Sequence, residues 1–117
     1  TKIASLCGDN LPIYSGNDDQ ILPILSLGGQ GVISVLSNIN PSLALNITNS
    51  FFDGNITDSL KYQLNALPII NALFEETNPI PVKKALNLLG FEFGEPRLPL
   101  VKCSDILTKK LKSILNK

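Results

Sequence analysis

The chain has no histidine. That absence removes every Ser-His or Cys-His nucleophile from within it. Its two cysteines lie at opposite ends, at Cys7 and Cys103, without C-x-x-C spacing. No zinc site is expected, and no residue set asks for another metal or a cofactor. Neither sign of charge is in excess, because ten basic and ten acidic residues cancel. Without a basic patch or stripe, nucleic acid is not an expected partner. No apolar run approaches the ~20 residues that span a bilayer, so no membrane segment is expected. No charged-then-apolar leader is read at the start, and the expected location is cytoplasmic. Internal repeats and low-complexity segments are absent as well.

What is present is enough for one ordinary domain: 117 residues, 44% of them apolar. In that setting Cys7 and Cys103 read as two reduced core thiols. Asn46-Ile47-Thr48 and Asn55-Ile56-Thr57 match the glycosylation pattern, but without a leader they read as chance. The chain opens at Thr1 already in a helical pattern, which leads us to expect a piece of something longer.

The pattern along the chain begins α/β and ends all-α. Thr1 to Cys7 reads as the end of a helix, with Gly8 as a left-handed cap and Asp9-Asn10 as turn residues. Leu11 to Tyr14 is an expected strand, followed by the small polar loop Ser15-Gly16-Asn17-Asp18. Asn17 or Asp18 is the expected cap of a short helix from Gln20 to Leu27, which Gly28 ends. Val32 to Leu36 is the second expected strand. Strand, loop, helix and strand form a βαβ unit, so the strands should be parallel and buried on both faces. Asn40 caps, and Pro41 opens, a helix running to about Phe52 and stopping at Asp53-Gly54. From Thr57 to about Glu76 the apolar spacing at Leu60, Leu64, Leu67, Ile70, Leu73 and Phe74 predicts a helix that Pro68 kinks or splits. An extended lead-in, Asn78-Pro79-Ile80-Pro81, precedes a helix from Val82 to Leu89 closed by Gly90, and Phe91 to Val101 reads as a loop. Ser104 caps a last helix with Ile106, Leu107, Leu111, Ile114 and Leu115 on one face and lysines near its end.

In βα units the chemistry sits in loops past the carboxyl ends of the strands. Ser15-Gly16-Asn17-Asp18 is in that position, either as an anion-accepting loop or simply as a tight capped turn. Gly28-Gly29-Gln30-Gly31 is glycine-rich like a phosphate cradle, yet it follows a helix and precedes a strand. It therefore reads as a helix end and a turn, away from any active site. Asp18-Asp19 and Glu75-Glu76 are sequence neighbours, which do not face each other on a helix. One pair reads as a cap and the other as a solvated helix end. Lys102 follows Leu98-Pro99-Leu100-Val101, but Pro99 breaks the strand that a Schiff-base lysine would need, so Lys102 reads as a solvated loop residue.

Taken together, Tyr14-Ser-Gly-Asn-Asp18, Gly28-Gly-Gln-Gly-Val-Ile-Ser-Val35, Asn78-Pro-Ile-Pro-Val-Lys83 and Arg97-Leu-Pro-Leu100 resemble the dihydrodipicolinate synthase family. The resemblance runs nearly the whole length of the chain, in order and in spacing, and Asn78 to Lys83 is its most specific part. It implies the last two βα units of a (β/α)8 TIM barrel followed by a C-terminal three-helix extension. Residues 1–54 would hold the end of helix six, strand seven, helix seven, strand eight and helix eight; residues 55–117 would be the helical domain. It further implies a Schiff-base aldolase that condenses pyruvate with aspartate semialdehyde in lysine (diaminopimelate) biosynthesis, as a homotetramer or dimer. The Schiff-base lysine would lie upstream of Thr1, so no catalytic residue is expected here and the chain alone should be inactive and should self-associate. Ile33 and Gly16 match positions lining the family's pyruvate pocket, and Leu27 matches an oligomer contact. The alternatives are a sister pyruvate aldolase of the N-acetylneuraminate lyase type, a stand-alone helical interaction or assembly module, and a complete small enzyme using its own residues. The last is disfavoured by the missing histidine and the lack of a strand-borne lysine.

Overall fold

A computed structural model describes residues 1–116. It comprises two compact units, Thr1–Asn65 and the residues from Ala66 onward. The helices among the described residues are α1 (Lys2–Cys7), α2 (Ile21–Ser26), α3 (Pro41–Phe52), α4 (Ile56–Leu73), α5 (Ile80–Leu88) and α6 (Asp105–Leu115). Two short strands, β1 (Tyr14–Ser15) and β2 (Gly31–Val32), complete the regular structure, with 3₁₀ turns at Gly8–Asn10, Asp18–Gln20 and Leu36–Asn38. None of the described helices is long and apolar enough to cross a membrane.

β1 and β2 pair in parallel, as the βαβ pattern requires, with Tyr14 opposite Gly31 and Ser15 opposite Val32. Both strands are shorter than the expected spans Leu11 to Tyr14 and Val32 to Leu36, and both are shifted. Among the described residues each strand has only the other as a neighbour. Past β2 the amides of Val35 and Leu36 donate to the Asp18 carboxylate at 3.0 and 2.8 Å, which takes them out of any ladder. The expectation of strands buried on both faces also fails: Tyr14 and Ile33 are exposed. A two-stranded parallel sheet cannot cover its own faces, and parallel sheets are normally covered by further layers.

The core of the first unit joins Ile21 and Leu25 of α2 to Ala44 and Ile47 of α3, with Leu36 between the elements. Gly28 ends α2 as expected. Its φ of +88° allows the amides of Gly28 and Gly29 to turn back onto the carbonyls of Leu25 and Ile24. Asn40 caps α3 by accepting from the Leu43 amide at 3.0 Å, and Pro41 occupies its first turn. Two local expectations are corrected. Gly8 has φ +52° with ψ −139°, so it is not a left-handed helical cap but the start of a 3₁₀ turn. Neither Asn17 nor Asp18 caps the following helix with its side chain, because Ser15 holds the Asn17 backbone and the Asp18 carboxylate is engaged past β2.

The helix expected from Thr57 runs from Ile56 to Leu73 and is not split at Pro68. Pro68 is exposed while Ala66, Ile69 and Ile70 beside it are buried, so its ring displaces no core side chain. The inward face differs from the expected leucine stripe: Leu60 and Leu64 are exposed, and Ser59 and Gln63 are buried in their place. The cause is polar. Ser59 Oγ donates to the Ile47 carbonyl at 2.7 Å. Gln63 Nε2 donates to the Asp18 carbonyl at 2.9 Å, and its Oε1 accepts the Leu22 amide at 3.1 Å.

In the second unit Ile70 and Leu73 of α4, Ile80, Val82, Ala85 and Leu86 of α5, and Leu107 and Leu111 of α6 form the core. Ser104 caps α6 as expected, accepting from the Leu107 amide at 3.2 Å. Ile106, assigned to the same apolar face, is 80% exposed, because the inward direction of α6 is set by Leu107 and Leu111. Phe91 to Val101 is a loop except for a short turn, pinned by Asn87, which accepts the Phe93 amide, and by Lys83, which donates to the Glu95 carbonyl.

Candidate functional site

The candidate site is the ledge formed by the carboxyl ends of β1 and β2. Ser15, buried at the end of β1, donates its hydroxyl to the Asn17 carbonyl at 2.7 Å and accepts the Asn17 amide at 3.2 Å. This holds the chain tightly around Gly16. The amide of Ile33, just past β2, donates to the Ser15 carbonyl at 2.8 Å. The two pocket positions assigned from sequence are thereby brought side by side. Ile33 is 77% exposed, so its backbone is fixed while its side chain has little packing. Gly16 does not have positive φ, and a Cβ added there meets nothing within 4 Å. Glycine at 16 is therefore not demanded by backbone conformation; what it provides is open space.

Leu27 is half-exposed and lies at the other end of the strands. There it lines a cavity of about 180 Å³ with Ile13, Leu11 and Gln30. The structure thus separates Leu27 from Gly16 and Ile33. A second, apolar groove of about 420 Å³ runs along β2 and α3, lined by Tyr14, Val32, Ser34, Ala44, Leu45 and Phe52. No lysine or arginine occurs from Leu11 to Asn40, so the ledge has no amine of its own. Lys102 is exposed in a loop. The ledge presents main-chain groups and, beside Gly16, space that no atom of this chain fills.

Of the two carboxylate pairs, Asp18-Asp19 departs from its reading as a cap, whereas Glu75-Glu76 follows the end of α4 with Glu75 exposed, as expected. Asp18 is fully buried and spans two loops, whereas Glu75 pairs with Lys110 and Glu76 accepts the Ser104 amide. The Glu75–Lys110 pair is well exposed, and Glu75→Ala is expected to change the unfolding free energy measured by urea denaturation by no more than about 1 kcal/mol. Among the described residues no group of three potential ligands could hold a metal ion. Sequence reasoning missed Asp18 and Gln63 as the polar ties beneath the ledge. Periodicity carries no signal for them, since each bonds to backbone far along the chain.

The two cysteines also part ways. Cys103 is buried, and burial pushes its thiol above the ordinary range, reinforced by the nearby Glu76 charge and only partly offset by a hydrogen bond to Thr108. Cys7 is only half-buried, at the end of a helix with no buried residue, so it is not the core thiol expected. Iodoacetamide at neutral pH is expected to label Cys7 well before Cys103; equal rates would contradict this environment for Cys103.

A family model described as the dihydrodipicolinate synthetase family matches residues 1–117. The chain belongs to that family. It is 54% identical over 116 residues to the 4-hydroxy-tetrahydrodipicolinate synthase of Clostridium perfringens, covering 96% of this chain and 40% of that protein. Among solved structures it is similar to dihydrodipicolinate synthase of Thermotoga maritima, with a TM-score of 0.92, 41% identity and coverage of 98% of this chain and 39% of that one. The Aquifex aeolicus enzyme gives a TM-score of 0.93 at 34% identity, again covering 98% of this chain and 39% of the other. These family members are TIM-barrel enzymes, and the present chain, mostly helical, spans about 40% of the length of the synthase relative it matches.

Proposed function

We propose that the chain is the C-terminal part of a Schiff-base aldolase of this family, one that condenses pyruvate with aspartate semialdehyde on the cytoplasmic route to lysine. In this reading residues 1–54 are the last two βα units of the (β/α)8 barrel, and residues 55–117 belong to the appended helical domain. Gly16 and Ile33 form part of the pyruvate pocket wall, and Leu27 serves an oligomer contact of the homotetramer or dimer. The observation that carries this reading is the 2.8 Å bond from the Ile33 amide to the Ser15 carbonyl. It sets the two resembling segments together at the strand ends, where barrel enzymes hold their substrates. The Schiff-base lysine lies on the part of the family fold not matched by residues 1–117.

The test is turnover. A full-length enzyme containing this sequence is expected to condense the two substrates, and residues 1–117 alone are expected to show no turnover. Turnover by the isolated chain, or none by the full-length enzyme, contradicts the proposal.

The isolated chain should also self-associate. Its two strands present unpaired edges, and the apolar groove beside β2 lies open. Apolar burial at ~25 cal/mol per Å² favours association over exposure. Sedimentation is expected to find species larger than a monomer; a single monomer boundary with no dye binding to apolar surface would count against it.

A further inference from the structure

We propose that Asp18 is a positioning residue for the substrate pocket, holding the Ile33-Ser34 segment against the Gly16 loop through the backbone amides of Val35 and Leu36. The inference rests on the reading of Gly16 and Ile33 given above and adds the group that fixes their relation.

Asp18 is 1% exposed. One carboxylate oxygen, Oδ2, accepts both amides, at 3.0 Å from Val35 and 2.8 Å from Leu36. Charge-assisted bonds of this kind are the stronger sort. The other oxygen, Oδ1, is buried without a hydrogen-bond partner among the described residues. The carboxylate thus meets the two amides at the cost of one buried, unpaired oxygen, and removing it would leave both amides without an acceptor. Its main chain is held in turn: Gln63 donates to the Asp18 carbonyl at 2.9 Å and also receives the Leu22 amide. The tie therefore runs from α4 through Asp18 to the residues immediately after Ile33. Ser34 and Ser37 close that segment locally, the Ser34 hydroxyl accepting the Ser37 amide at 2.8 Å. Losing this tie would free the backbone after Ile33 to shift relative to the Gly16 loop.

The experiment compares Asp18→Ala and Asp18→Asn with Ser59→Ala, which also removes a buried hydrogen bond but touches neither loop. Hydrogen exchange on residues 1–117 is expected to show faster exchange at residues 35–36 in Asp18→Ala only. In the full-length enzyme, well below the melting temperature, Asp18→Ala is expected to lower kcat/KM for pyruvate roughly 10- to 100-fold. Asp18→Asn, which keeps one oxygen acceptor, should recover a large part of the loss. Ser59→Ala should lower the melting temperature and leave kcat/KM unchanged. Unchanged exchange at 35–36, or equal effects of Asp18→Ala and Ser59→Ala on kcat/KM, would overturn the inference. A wild-type enzyme without pyruvate turnover would instead overturn the functional reading itself, and this inference with it.

Discussion

Gly16→Val in the full-length enzyme is expected to cut turnover by about 100-fold or more, while Ile33→Val keeps most of it. The two positions sit side by side but differ in what they offer. At Ile33 the amide is committed to the Ser15 carbonyl and the side chain is largely free. Removing one methylene there costs less than the roughly 0.5–1.5 kcal/mol of a buried Ile→Val change. At Gly16 φ is not positive and a Cβ meets no atom of this chain within 4 Å, so nothing in residues 1–117 forbids a side chain there. The open space is then what the pocket provides, and a branched side chain fills it. Circular dichroism would confirm that both variants are folded, and steady-state kinetics would compare them. Equal losses, or an unaffected Gly16→Val, would make both residues scaffold.

Leu111→Ala should destabilise the second unit by about 2–5 kcal/mol, because a fully buried leucine leaves both lost transfer energy and a cavity. Ile106→Ala, one and a half turns earlier on the same helix, should stay within about 0.5 kcal/mol, since that side chain is solvent-exposed. Urea denaturation followed by helical signal would measure both. A large loss at Ile106 would restore the apolar face expected from sequence and contradict the orientation of α6 described above.

That contrast also shows what could be read from the residues alone. Caps were legible: Asn40 with Pro41, and Ser104, are local devices whose partner lies three residues on. The parallel βαβ order was legible as well, because apolar runs and small polar loops alternate over a short span. Strand length was not, since it depends on neighbours and, here, on a carboxylate that withdraws the Val35 and Leu36 amides. The buried face of α4 departs from the leucine stripe for a related reason. Ser59 and Gln63 turn inward to meet backbone groups, and Leu60 and Leu64 are left outside. For the candidate site, the loop after β1 was recognisable by its position. Its partnership with Ile33 came from the family resemblance, because no spacing rule links residues from two different loops.

The most direct test of the account is to trap the Schiff base. The full-length enzyme and residues 1–117 would each be incubated with pyruvate, reduced with borohydride, and weighed before and after digestion. Every lysine described in this chain lies on a helix, in a loop or near a terminus, and none lies in the ledge between β1 and β2. A lysine reacts as a Schiff-base nucleophile only where its surroundings lower its pKa. The expected result is a single pyruvyl adduct in the full-length enzyme, on a lysine outside residues 1–117, and none on the isolated chain. A stable adduct on a lysine within residues 1–117, formed by the native chain and lost on prior denaturation, would contradict it.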